Sequence, residues 1–135
     1  MEISAIKGRS KAMEEGHWID GLPGFPGVRL LVRSATAPVV RSALAKALRD
    51  VPKDQMNDDG TLPDALSDEI DAEVLSSVGL LGWEGITNGG KPVKFNAKVA
   101  RDLIGTAWQF REAVTLAMRR VAVDFDARTK EIEGN

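Results

Sequence analysis

The 135-residue sequence has no cysteine, no tyrosine and one histidine, and only 5% of it is aromatic. Without cysteine there can be neither disulfides nor thiolate metal sites, and the chain suits a reducing compartment. His17 is the one base a Ser–His–Asp triad could use, and it adjoins Trp18 in an extended stretch that reads as an ordinary hairpin. No glycine-rich run ends in Gly-Lys-Ser/Thr, because Gly89-Gly90-Lys91 continues into Pro92 and belongs to a turn. The Asp-rich stretch before Gly60 fails as a calcium loop, since that register puts Gln55 at the first ligand position and Leu66 at the twelfth. The sequence therefore points to a non-enzymatic protein with no catalytic residues, no cofactor and no metal site.

Long apolar runs are also missing. No stretch approaches the roughly 20 residues of a membrane helix, and the first residues lack the apolar core of a signal peptide, so no membrane role is expected. The net charge of −2 gives no excess of positive charge for neutralising phosphates, and no nucleic-acid partner is expected. Charge is nonetheless uneven. Lys and Arg number 8 against 4 acidic residues in 1–49, 1 against 9 in 50–73, and 9 against 7 in 74–135. The acidic block reads first as a solvated helix face and second as a docking surface for a basic partner.

The segments present suggest one α+β, mainly α, domain over 1–135, with 1–15 and 131–135 mobile. Residues 16–33 read as a β-hairpin with a broad Gly- and Pro-punctuated loop. In its second strand Val28, Leu30 and Val32 face a core while Arg29, Leu31 and Arg33 face away. Four or so helices follow. The first, capped by Thr36, carries Val40, Ala43, Leu44, Ala47, Leu48 and Val51 on its apolar stripe. The second, capped by Thr61, carries Leu66, Ile70, Val74, Val78 and Leu81. A small hairpin or tight turn around Asn88-Gly89-Gly90, flanked by 82–87 and 91–95, precedes the last two helices. Asn96 caps the short one, and Thr106 with Gln109 offers a capping box for the long one, which reaches about Lys130.

The final helix has more apolar surface than one core contact needs. Phe110, Val114, Ala117, Met118, Val121 and Phe125 form the inward face. Leu116 and Val123 occupy a second, narrower face beside Ala113 and Ala127, suited equally to a second internal contact or to a partner or homo-oligomer seam. Trp108, opposite Phe110, is the best exposed anchor in a chain whose other large rings are expected in the core. Candidate partner-binding residues are thus Trp108, Leu116 and Val123, with Arg29 and Arg33 available to an acidic partner or simply keeping the sheet soluble.

The stretch Gly82-Trp83-Glu84-Gly85-Ile86, then Gly90-Lys91-Pro92-Val93-Lys94-Phe95, a capped helix with Ala100 and Leu103, and Phe110-Arg111 resembles the tail assembly chaperones of long-tailed bacteriophages and gene-transfer particles. Gly16-x-Trp18, the segment 28–33 and the Ala/Leu/Arg-rich helix at 40–49 are similar too, so the likeness spans roughly 16–125. The chain departs from the family at Asn88-Gly89, where an acidic residue is common, and at Asn96 and Lys98, where an acidic first turn is common. The resemblance implies a protein of the host bacterial cytoplasm that binds the tape measure protein and helps major tail protein assemble around it. It further implies absence from the mature virion and, in related systems, a second, frameshifted product. A structural head–tail or tail accessory component of the virion and a small DNA-binding regulator are the alternatives.

Overall fold

Side chains alternate across a strand, so Val28, Leu30 and Val32 must share one side of the second strand, and all three are buried, the last two completely. The computed structural model describes the backbone of residues 1–133 and the side chains through Asp124. Its elements are α1 (Ile3–Glu14), β1 (His17–Ile19), β2 (Arg29–Val32), α2 (Pro38–Arg49), α3 (Asp64–Val74), β3 (Leu80–Glu84), β4 (Thr87–Asn88), β5 (Lys91–Pro92), α4 (Ala97–Thr106) and α5 (Trp108–Glu133). The class is α+β and mainly α, as the sequence suggests, with the N-terminal hairpin in place.

That hairpin is two thirds of a sheet. β2 is central, antiparallel to β1 on one side and to β3 on the other, with Leu30 opposite Trp83. The apolar spacing of Leu66, Ile70, Val74, Val78 and Leu81 predicts that the second helix continues to Leu81. Instead α3 ends at Val74 and a single π turn, Leu75–Gly79, leads straight into β3. A π turn spends more residues per turn than an α-helix, so the apolar spacing that continues to Leu81 does not continue as one helical face. Gly82, Trp83 and Glu84 consequently belong to the main sheet, and the expected small hairpin shrinks to β4 and β5 around Gly89 and Gly90.

Three expected helix starts also differ. Thr36 does not cap α2; its N–H donates to the buried Ser34 Oγ at 3.2 Å, and Ala37 is the residue before the helix. Thr61 donates to Asp59 Oδ1 through both its N–H and its hydroxyl, so it closes a turn rather than capping α3. Thr106 ends α4, its hydroxyl donating to the Asp102 carbonyl, so no capping box with Gln109 forms. Ser and Thr hydroxyls readily bond to nearby backbone or side chains in this way, which competes with capping. Asn96 does cap α4, its Oδ1 accepting the N–H groups of Lys98 and Val99.

Residues 3–14, unassigned from sequence, form α1 with none of its side chains buried. Its anchors come from elsewhere: Arg33 Nε donates to the Glu14 carbonyl at 2.9 Å, and His17 Nε2 lies 2.9 Å from the Ala12 carbonyl. Nothing local in 1–15 encodes such contacts.

The core joins the inner face of the sheet to α3, α4 and α5 through Leu30, Val32, Ile70, Leu80, Ile104, Val114 and Met118. Phe110, Val114, Ala117, Met118 and Val121 are all buried on the inward face of α5. Phe125 and Ala127 lie outside the described side chains, and the expectation for 131–135 reaches past the described residues.

A candidate partner-binding surface

The start of α5 is set by a sharp handover. Ala107 interrupts helical geometry at φ −112 and ψ 94, donates to the Leu103 carbonyl, and accepts the N–H groups of Phe110 and Arg111. Phe110 is thereby turned inward, within 5.9 Å of Phe25 and 6.2 Å of Trp83, both edge to face. Trp83 is buried against Phe95 at 4.9 Å and donates its indole N–H to the Val93 carbonyl at 2.8 Å. At about 100° per residue, Trp108 then falls on the opposite side of the helix from Phe110.

Trp108 is 61% exposed and Val123 64% exposed. Leu116 is half-buried and packs in part against the core, so of the two roles open to it the structure assigns at least an internal one. The same outer strip carries Glu112 and Arg119, both exposed, within an arc of about 80°. Ala113, expected beside this strip, is buried.

The two arginines are placed elsewhere and are already engaged. Arg29 meets its cross-strand partner Glu84 at 2.8 Å and lies over the Trp18 ring at 4.8 Å. Arg33 is half-buried and donates to the carbonyls of Glu14 and Val78, joining α1 to the π turn. Neither joins Trp108, Leu116 and Val123.

Two features have no signal in any single segment of the sequence. One is a cleft of about 640 Å³ between the 22–28 loop, the turn after β3, and the junction of α4 with α5. Phe25, Val28, Ile86, Leu103, Ala107 and Phe110 line it, and Trp108 lies in the chain between two of its lining residues, Ala107 and Gln109. Its walls come from four separate segments. The other is the outer part of the α2 stripe, where Leu44 and Leu48 are 38% and 44% exposed. Their 3.6-residue spacing had implied burial.

Beside Leu44 a cavity of about 270 Å³ is lined by Val40, Asp71, Val74, Leu75, Met118 and Arg119. Partial burial raises the pKa of the Asp71 carboxyl above 3.8; Arg111 opposes the rise, and Asp68 and Glu112 add to it. The folded protein thus holds this proton to higher pH than the unfolded chain does. Stability from that proton is full below pH 3.8 and is lost as pH rises through the folded value. Asp71→Asn should therefore melt slightly higher than the parent at pH 7, with the gap closing in acid below 3.8. Thermal melts of both proteins across that pH range would check the sign.

The acidic block is an exposed face. Asp68 and Glu73 reach Arg111 and Arg101 at 3.7 and 3.2 Å, and Asp59, held below the usual carboxylate range by its hydrogen bonds from Thr61, is fully exposed. Among the described residues no group of three or more His, Cys, Asp or Glu could hold a metal ion, and no helix is long and apolar enough to cross a membrane.

The open strip of α5 thus begins beside the apolar cleft, with Trp108 next to its lining residues Ala107 and Gln109. Residues 35–135 match the family model described as YdaY prophage protein, and because this covers most of the chain, the chain belongs to that family and is phage-derived. The match begins just after β2, so α1, β1 and β2 precede it while β3, which β2 completes, lies inside it. No curated protein and no solved structure matches the chain significantly.

Proposed function

We propose that this prophage protein is a tail assembly chaperone that coats the tape measure protein and helps recruit major tail protein, leaving before the virion is complete. The observation that carries the reading is the open strip of α5, with Trp108 and Val123 exposed on a helix whose opposite face is buried from Phe110 to Val121. A long amphipathic helix laid along that strip would cover apolar surface on both partners, with the adjoining cleft able to receive a large apolar side chain. Prophage origin is consistent with this role, as is the resemblance of 82–95 to tail assembly chaperones.

A lysogen carrying this prophage tests the reading through its particles. Deleting the gene is expected to give tailless capsids, while particles purified from the parent should lack this chain by mass spectrometry. Stoichiometric chain in finished particles would make it a virion component, and normal tails from the deletion strain would remove the assembly role.

A further inference from the structure

The outer strip of α5 can be set against a second copy of itself. Its positions 108, 112, 116, 119 and 123 are spaced four, four, three and four, the rhythm of a helix-pairing seam. Positions 108 and 123, 112 and 119, and 115 and 116 lie symmetrically about one point between Thr115 and Leu116. A two-fold axis through that point would set Glu112 of one copy against Arg119 of the other, twice, and Trp108 against Val123, twice, with the two Leu116 residues at the centre.

The charges that such pairing needs are exposed, although Glu112 acts on Asp71 across the surface and Arg119 borders the cavity beside Leu44. Among the described residues, neither Glu112 nor Arg119 makes an ion pair or hydrogen bond within the chain. Trp108 and Val123, one bulky and one small, are the two most exposed large apolar residues of the helix among the described side chains. We propose that two copies of this chain pair through antiparallel α5 helices about Leu116, closing the apolar strip in the resting protein. Self-complementary patches of this kind form closed dimers rather than growing chains. The strip is only about 22 Å long, so the contact is small and the dimer reversible in the micromolar range. Any partner that takes the same strip would have to displace the second copy. The dimer itself does not depend on that partner being a tape measure protein.

Sedimentation of the full chain from about 1 μM to about 1 mM should show twice the 14.6 kDa chain mass emerging with concentration. Glu112→Arg alone or Arg119→Glu alone should weaken the dimer at least about tenfold, and the two together should restore it. Because the chain lacks cysteine, single cysteines report the register cleanly. Leu116→Cys should cross-link two copies under mild oxidation. Val123→Cys, about 22 Å from its twin, should not. A wild-type monomer at every concentration would overturn the proposal, as would single charge variants that dimerise normally, a double variant that does not recover, or cross-linking at 123 instead of 116.

Discussion

Gly85→Ala is expected to lower stability by about 4 kcal/mol or more, enough to leave much of the protein unfolded. Two costs coincide at this position. Its φ of +88 is left-handed backbone, where an L side chain is strained by roughly 1–2 kcal/mol. A Cβ would also stand 2.1 Å from the Gly27 carbonyl oxygen, a backbone atom that no rotamer change can move aside. Relief would require separating the 22–28 loop from the end of β3, which opens the core at Val28 and dismantles the cleft lined by Phe25, Val28 and Ile86. Marginal stability of about 5–15 kcal/mol leaves little reserve. Gly89→Ala is the matched control: its φ is +60, but a Cβ there meets nothing within 4 Å, so only about 1 kcal/mol is expected. Denaturant melts of both variants would separate backbone strain from collision.

The second large effect falls on binding and should leave folding untouched. Trp108→Glu combined with Val123→Glu is expected to weaken capture of the tape measure protein at least about a hundredfold, with the melting temperature within a few degrees of the parent. Both side chains are more than half exposed, so removing them opens no cavity. Each replacement would instead remove an apolar contact, and at 108 it would set a second carboxylate one turn from Glu112, a charge that the partner must dehydrate. The same substitutions at Val114 or Phe110, on the buried side of the helix, should unfold the protein. That contrast distinguishes an adhesive strip from a core position.

Much of this arrangement is legible in the residues. The alternation at Val28, Leu30 and Val32 gives the hairpin and its buried side, and Asn96 marks the start of α4. The inward run from Phe110 to Val121 leaves Trp108 outside, as the spacing implies. The failures have local causes. Leu81 continues the helical spacing of Leu66, Ile70, Val74 and Val78, yet the π turn consumes the register and Leu81 becomes part of a strand. α1 is joined to the rest of the chain in part by bonds from His17 and Arg33, residues outside the helix itself. Arg33 reads as a solubilising outward residue because the carbonyls it reaches, those of Glu14 and Val78, are 19 and 45 positions away. For the cleft there is no single-segment signal at all. That Glu112 and Arg119 share one face with Trp108 and Val123 is visible in the sequence only once the helix face is known.

The most direct measurement is the soluble fraction of the prophage's own tape measure protein when it is co-expressed with this chain. A large gain is expected with the parent chain and none with the Trp108→Glu, Val123→Glu protein, expressed and folded to the same level. A tape measure protein that stays insoluble beside the parent chain, or is rescued equally by the variant, would contradict it.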